Sequence, residues 1–300
     1  MVRDESNTVT GQESCIAKNA EQAAHLISEQ ARQLVSRLIE QRGHDRPPFS
    51  SIEIARLVGI TRITKGDLGE VGALLLRSSD GYTIKINQRD ALSRQNFSCA
   101  HEIGHILFSR LDLEHYVQTI EYRGRFDPMR ERKARATVRE RLCDIAATEL
   151  LMPETIFRKY LNNLGNPVFS IGQLAKTFDV SILAAAIRIA QVSTEPCVML
   201  KWEPYPKSNP NGLRFVWRIV QARGHKAGDY EPVHKLVNRR SSLYQAYSSG
   251  EIVRSTKSFK IDNTAKRFWM ESKGFGYGKM RYVISFAQLP DNLSSSSDCR

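Results

Sequence analysis

The chain has 300 residues, of which 41% are hydrophobic and 25% charged, as in an ordinary globular protein. No apolar run approaches the ~18 residues of a membrane-spanning helix, which excludes a helical membrane protein. Residues 1–21 are polar and lack the basic and then apolar layout of a secretory signal, so a soluble, cytoplasmic protein is expected. A chain of this length is expected to form two domains.

The net charge of +12 is concentrated in the last third of the chain. Residues 1–195 hold 26 basic and 24 acidic side chains, whereas residues 196–300 hold 18 basic and 8 acidic ones. The same segment contains Trp202, Trp217 and Trp269. Aromatic side chains amid positive charge are typical of sites for nucleic acid or another anionic ligand. An aromatic sheet core under a solvated basic surface is the alternative.

The predicted elements begin with helices and a small sheet. Residues 1–22 are polar and are expected to be disordered. Apolar residues at helical spacing predict a helix over 23–41, and a second short helix fits 50–58. Two apolar or alternating runs, 72–77 and 82–87, are separated by Ser-Ser-Asp-Gly and predict a β-hairpin.

Helices dominate the next hundred residues. Residues 96–109 have apolar side chains on more than one face, which predicts a helix buried at the centre of a domain. A long surface connection leads to a helix over 129–152, which Pro153 ends. Residues 167–191 are expected to form two short helices with a turn near Asp179.

After Pro196 the chain becomes β-like and aromatic, so the domain boundary is placed between residues 195 and 196. The predicted strands are 198–202, 213–221, 251–261 and 281–287. Residues 196–293 are thus expected to form a β-rich domain that senses a signal or recruits a substrate, and residues 294–300 a tail.

Cysteine spacing gives no sign of a disulfide framework. The five cysteines, Cys15, Cys99, Cys143, Cys197 and Cys299, are odd in number and form no CxxC pair. Buried or free thiols are therefore expected. Cys99 lies two residues before His101 and has no obvious role.

The sequence His101-Glu-Ile-Gly-His105 predicts a metal site. Positions i and i+4 share one face of an α-helix, so two imidazoles can bind one metal ion. Glu102 lies beside them, where its carboxylate can accept a proton from a water molecule and deliver it to the leaving amine of a peptide. Gly104 is expected to keep the helix surface open for a substrate backbone. Two core histidines satisfied by hydrogen bonds are the alternative.

A catalytic zinc needs a third protein ligand from another element. Glu140 is the first choice, and Asp144 lies one turn later on the same face, within an apolar segment where a buried acid needs a partner. An outer carboxylate commonly orients a ligand histidine, which assigns that role to Asp144. The alternatives are a solvated Glu140, or a third ligand from one of these residues: Asp112, Glu131, Asp144, Glu149.

Several segments resemble the ImmA/IrrE family of metallopeptidases, whose HExxH is followed by Glu-x-x-x-Asp/Asn. Arg94-Gln-Asn-Phe-Ser-Cys-Ala-His-Glu-Ile-Gly-His105 is similar to the active-site helix, and Glu140-x-x-Cys-Asp-x-Ala-Ala-x-Glu-Leu-Leu-Met-Pro153 to the third-ligand helix. The resemblance extends over residues 23–192. Cys143 stands where alanine is usual, and the link from His105 to Glu140 is long and basic.

This resemblance implies a zincin-like metallo-endopeptidase of α+β fold over residues 23–195, mostly helical with a small sheet. It implies His101, His105 and Glu140 as ligands of one zinc ion, with manganese also compatible with these donors, and Glu102 as general base. It further implies a helix-turn-helix repressor as the substrate, cleaved to switch on genes for stress responses or mobile elements. A nucleic-acid-binding regulator with an inactive peptidase-like domain is the rival interpretation.

The pair of helices at 167–192 has the layout of a helix-turn-helix. Its second helix, residues 181–190, offers almost no polar side chains for base edges, which readout of the major groove requires. A packing role is therefore expected, as in the closing helices of the family.

Overall fold

The computed structural model describes residues 6–79, 81–114, 116, 128–206, 211–221, 230–261 and 264–289, with the backbone alone at 6–19, 128–136, 231 and 279. The fold is α+β, as predicted: a mostly helical N-terminal part precedes a β-rich C-terminal part. The chain divides into two compact units. Unit 1 comprises residues 1–156 and 177–180, and unit 2 comprises residues 157–176 and 181–300.

Within the described ranges, unit 1 contains three strands and four helices. They are α1 (Ser6–Arg42), α2 (Ser51–Leu57), β1 (Ile60–Gly66), β2 (Ala73–Ser78), β3 (Gly81–Asn87), α3 (Leu92–Arg110) and α4 (Pro128–Leu151). The first helix begins at Ser6, whereas disorder was expected up to residue 22. Its first half is polar but rich in helix-forming Glu, Gln, Ala and Lys, so the backbone can stay helical without an apolar stripe.

The small sheet has the strand order β1-β3-β2. The predicted hairpin is confirmed, because β2 pairs antiparallel with β3 in the register Leu75↔Ile84. β1 pairs parallel with β3 and was missed, since Ile60-Thr-Arg-Ile-Thr-Lys shows no strict alternation. Ile84 is fully buried, while Leu74 and Leu76 of the edge strand β2 are 41% and 49% exposed. An apolar edge strand is therefore available in this unit.

Helix α3 lies at the centre of unit 1 and packs extensively along α4. Its buried residues come from several faces, which confirms the prediction of a central helix. They include Cys99, Ala100, Ile103, Ile106 and Leu107. On α4 the fully buried positions include Cys143, Ala146, Ala147 and Leu150, and α1 packs on the same helix. Burial of this apolar seam fixes α3 against α4.

Unit 2 has a larger antiparallel sheet with the strand order β6-β8-β9-β10-β4-β5-β7. The elements from residue 154 onward are α5 (Glu154–Leu164), α6 (Pro167–Phe178), α7 (Ile182–Val192), β4 (Cys197–Tyr205), β5 (Gly212–Gln221), β6 (Glu231–Pro232), β7 (Leu236–Asn238), α8 (Ser242–Ser249), β8 (Val253–Ile261), β9 (Thr264–Phe275) and β10 (Tyr282–Gln288). The four predicted strands are present. β9 was missed, because its basic residues obscured an alternation of buried and exposed positions.

The predicted helix pair is present as α6 and α7. Most of α7 is buried, including Ala185, Arg188 and Ile189, and the helix packs on β4 and β5. A helix buried in this way has few side chains free for DNA, in keeping with the predicted packing role. No single helix among the described ranges combines the length and apolarity of a membrane span.

The contacts group most of α5, α6 and α7 with the β-rich unit 2 rather than with unit 1. The boundary predicted at residues 195 and 196 stays a prediction, because packing alone does not show which segments fold independently. The tail predicted for residues 294–300 lies outside the described residues, as does Cys299.

Candidate metal centre

Helix α3 presents His101 and His105 on the same face, one turn apart. Their ring centroids are 4.9 Å from each other, with the ring planes at 76°. The two side chains are 17% and 26% exposed, so both remain accessible from solvent while lying in the α3–α4 seam. The i, i+4 spacing of the sequence thus produces a pair of imidazoles that face α4.

Helix α4 brings Glu140 to both imidazoles. One oxygen, Oε2, lies 3.0 Å from Nε2 of His101, and the other, Oε1, lies 3.7 Å from Nε2 of His105. Ligand atoms that share a tetrahedral zinc ion through bonds of ~2.0–2.1 Å lie roughly 3.4 Å apart. The two Nε2 atoms and the carboxylate of Glu140 therefore fit a metal ion of this kind, and the donor set is the one that zinc accepts.

Asp144 contacts the other nitrogen of His101. Its Oδ1 lies 2.9 Å from Nδ1 of His101, so an Nδ1–H can donate to the carboxylate and leave Nε2 free to bind a metal. Burial lowers the pKa of His101, but the hydrogen bonds and charges of Asp144 and Glu140 outweigh burial, and the pKa is raised. The pKa of His105 is lowered by burial and by the charge of His101.

Cys143 is a site residue that the sequence analysis did not assign. Its sulfur lies 3.3 Å from Nδ1 of His105, and a second donor set, His101, His105 and Cys143, can be drawn with its ligand atoms within 4.8 Å of one another. Burial, with the nearby Glu140 and Asp144, raises the pKa of the thiol, which disfavours the thiolate that a metal requires. The sequence held one sign of this position: Cys143 is three residues after Glu140, and residues i and i+3 lie close together on a helix face.

Glu102 lies beside the imidazoles and against the edge strand of the small sheet. Its half-buried side chain accepts a hydrogen bond from the backbone of Leu75 on β2. Burial raises the pKa of Glu102, an effect that the charge of Glu140 reinforces and that His101 and the Leu75 bond partly oppose. The carboxylate is therefore more basic than an exposed glutamate.

Gly104 is a packing residue and not, as expected from the sequence, an opening for a substrate. A Cβ built there would lie 2.9 Å from both the Cα and the carbonyl oxygen of Cys143. Only glycine allows the α3 backbone to approach α4 this closely. The contact places Cys143 against His105, and it sets the spacing between α3 and α4.

Replacing Gly104 by alanine should destabilise the protein by about 1–3 kcal/mol, because the added methyl group meets backbone that cannot move without shifting α4. Gly172→Ala in α6 is the matched control, since nothing lies within 4 Å of its Cβ position. This control should gain ~0.5–1 kcal/mol from the better helix propensity of alanine. Denaturant unfolding followed by circular dichroism measures both. Equal effects of the two substitutions would contradict the packing role of Gly104.

The remaining candidate ligands lie elsewhere. Glu149 is buried and bonds to Arg32 of α1 at 3.0 Å. Asp112 lies at the rim of a cavity of about 300 Å³ lined by His105, Phe108, Ser109, Glu114 and Arg139. The side chain of Glu131 lies outside the described residues. The cavity continues from the metal centre and is large enough for a substrate side chain.

Cys99 is fully buried in α3. Burial raises the pKa of its thiol to about 11, an effect that Glu102 reinforces and a hydrogen bond with Ser51 opposes. Cys143 and Cys197 are also free and buried. These three cysteines behave as the sequence predicted, and Cys99 has the environment of a core residue rather than of a reactive thiol.

Residues 59–190 match the family described as the IrrE N-terminal-like domain. The chain is 34% identical over 116 residues to the radiation response metalloprotease IrrE of Deinococcus radiodurans, covering 38% of this chain and 33% of that protein. It is 31% identical over 118 residues to the protein of the same name from Deinococcus deserti, covering 39% of each chain. The matches thus span little more than a third of the length of these relatives.

A solved structure titled Mycobacterium tuberculosis transcriptional regulator has a similar fold. Its TM-score is 0.57 at 14% identity, over 90% of this chain and 80% of that one. At this identity the similarity concerns the fold alone. The family match, residues 59–190, includes both α3 and α4.

Proposed function

We propose, from the match of residues 59–190 to the IrrE N-terminal-like domain and the similarity to the IrrE metalloproteases, that this chain is a zinc-dependent endopeptidase acting on a regulatory protein. The observation that carries the proposal is the convergence of two imidazole Nε2 atoms on the carboxylate of Glu140, with Glu102 close enough for His101 and Glu140 to influence its pKa. The alternative, two core histidines satisfied by hydrogen bonds, does not require that both Nε2 atoms face the same carboxylate. The family implies a metal, and zinc suits this donor set best.

His101, His105 and Glu140 would hold the ion, and we favour this set over the one that includes Cys143. The thiol contacts the ring edge of His105 that carries Nδ1, whereas both Nε2 atoms face Glu140. A zinc ion bound there would polarise a peptide carbonyl and make water a better nucleophile at neutral pH. Cys143, as a protonated thiol, would then contact Nδ1 of His105, on the side of the ring away from the metal.

Glu102 would act as general base and then as general acid. Its carboxylate accepts a proton from the attacking water and delivers that proton to the amine that leaves. Partial burial, which raises the pKa of Glu102, makes it a stronger proton acceptor than an exposed glutamate. The hydrogen bond from Leu75 holds the carboxylate at the boundary between α3 and β2.

The edge strand β2 would hold the substrate in an extended conformation. Its neighbour on one side is β3, and its other edge faces Glu102 through the backbone of Leu75. An extended peptide that adds to such an edge gains main-chain hydrogen bonds irrespective of its sequence. The cavity beside His105, with Phe108 and Arg139 in its wall, would then receive one substrate side chain.

Asp144 would orient His101 and strengthen metal binding. We expect Asp144→Asn to weaken zinc affinity about 10–100-fold, since the amide cannot replace the charged acceptor of the Nδ1–H bond. Asp112→Asn is the matched control, because Asp112 is an exposed acid on the cavity rim with a positive φ of 50° that asparagine also adopts. Competition with a chromophoric chelator gives both affinities. A loss in Asp112→Asn as large as that in Asp144→Asn would remove the assignment.

The substrate class is a helix-turn-helix repressor, as the family resemblance suggests. The test is to incubate the full, zinc-loaded chain with purified helix-turn-helix repressors encoded near its gene and to analyse the products by mass spectrometry. One defined cut, absent with Glu102→Gln, supports the proposal. Zinc-dependent cleavage of an unrelated unfolded protein without cleavage of any repressor would keep the peptidase and reject the substrate class.

The rival interpretation, a nucleic-acid-binding regulator with an inactive domain, stays a prediction. It requires tight, salt-sensitive DNA binding together with an absence of proteolysis. Most of α7, the helix that would read DNA in a helix-turn-helix, is buried, and this leaves few of its side chains for contact with bases.

A further inference from the structure

Three polar side chains lie among apolar residues on the inner face of the unit 2 sheet. The inner face is the side whose residues form the buried core under α8, including Leu200, Met270 and Val283. Ser255 and Lys257 project from β8 on this side, and Trp202 projects from β4. No part of the proposed peptidase mechanism uses them.

Lys257 is a partly buried cation without an acidic partner in the described part of the chain. Its Nζ lies 6.0 Å from the ring centroid of Trp202, reached across the two intervening strands. Burial alone lowers its pKa, and no carboxylate of the described residues lies within ion-pair distance. The face of the Trp202 ring compensates part of the hydration that Lys257 loses, and an anion would compensate the rest.

Two further hydrogen-bond donors are buried on the same face. The indole of Trp202 is fully buried, and its Nε1 has no hydrogen-bond partner among the described residues. The hydroxyl of Ser255 is likewise buried without a partner in the described part of the chain. An unsatisfied buried donor costs roughly 1–3 kcal/mol. These two donors, together with the ammonium group of Lys257, favour a ligand that supplies acceptor oxygens.

The surroundings of these donors are apolar. Opposite Ser255 on β9 lies Met270, and opposite Lys257 lies Phe268, both of them buried. Ser255 and Lys257 are two residues apart on one face of a strand, a separation of ~7 Å. A small molecule with an anionic end and an apolar body would suit this combination.

We propose that Lys257, Ser255 and Trp202 form a binding site for a small organic anion, a carboxylate or phosphate carried on an apolar body. The ammonium group neutralises the anion, the indole N–H and the hydroxyl donate to its oxygens, and Phe268 and Met270 contact its apolar part. This site belongs to unit 2 and is independent of the metal centre. It gives the predicted anionic-ligand role of the C-terminal part a definite location.

The test uses the full chain and two probes, benzoate and inorganic phosphate, at constant ionic strength set with sodium chloride. The readout is the indole N–H resonance of Trp202, identified by elimination with Trp217→Phe and Trp269→Phe. Either probe should shift this resonance in a saturable manner and raise the unfolding temperature. Stronger binding of benzoate indicates a carboxylate on an apolar body, and stronger binding of phosphate indicates a phosphate ligand.

Lys257→Met should weaken binding of the probe by about tenfold or more, the effect of a lost hydrogen bond to a charged group. Lys260→Met is the matched control, because Lys260 is exposed on the same strand. Ser255→Ala should stabilise the unliganded protein, because it removes a buried hydroxyl without a partner, and it should reduce the additional stabilisation by the probe. Absence of saturable binding in the unaltered protein, or unchanged affinity in Lys257→Met, would overturn the proposal.

Discussion

Glu102→Gln should reduce kcat/KM for peptide hydrolysis by about 10²–10⁴-fold while leaving zinc bound. Glutamine has almost the same shape as glutamate and can still contact the backbone of Leu75, but it cannot accept the proton from water at neutral pH. Because Glu102 stands beside the ligand set and not in it, the metal content measured by plasma mass spectrometry should stay near one ion per chain.

Glu70→Gln provides the control for this substitution. Glu70 is an exposed acid in the same unit, next to the hairpin, and its loss removes the same charge. This variant should retain full activity and full metal content. The general-base assignment fails if Glu102→Gln keeps more than a tenth of the activity. Loss of zinc would also abolish activity, so the metal content of each variant is measured together with its activity.

Glu140→Ala should lower zinc affinity by at least about 100-fold, more than the 10–100-fold expected for an outer carboxylate. Cys143→Ala should change the affinity by less than tenfold, because the thiol faces Nδ1 of His105 rather than Nε2. Alanine also keeps the Cβ that packs on Gly104. The two variants therefore separate the two donor sets that the α3–α4 seam can offer.

Cobalt substitution gives an independent answer. A thiolate ligand produces a strong sulfur-to-cobalt charge-transfer band in the near ultraviolet, whereas histidine and carboxylate ligands do not. We expect no such band in the unaltered protein. A band that disappears in Cys143→Ala, together with near-normal affinity in Glu140→Ala, would replace Glu140 by Cys143 as the third ligand.

The sequence predicted which side chains of α3 and α4 face each other, for physical reasons. The i, i+4 spacing of His101 and His105 fixes their common face whatever surrounds the helix. The acidic pair Glu140 and Asp144 follows the same rule. The expectation that Asp144 is buried was wrong, because its side chain is 56% exposed. Both side chains of that pair contact His101 in the structure.

Contacts between elements were beyond sequence reasoning. The role of Gly104 depends on the 2.9 Å approach of the Cys143 backbone, and no periodicity encodes which residue of α4 it meets. The bond between Glu102 and Leu75 likewise depends on the seating of the small sheet on α3. β1 was missed because it shows no strict alternation. α8 was missed although Ser241 caps its first turn and Gly250 ends it in the left-handed region.

The glycine notch at residue 104 also bears on how the metal centre is assembled. Sliding α4 along α3 by one residue would drive a side chain into the α3 backbone, so this contact selects one packing register of the two helices. Hydrophobic packing along the seam maintains that register, and Glu140 is aligned with both imidazoles before any ion binds. Unlike a zinc finger, whose folding waits for its metal, this unit should keep its tertiary structure after chelation and regain its ion rapidly.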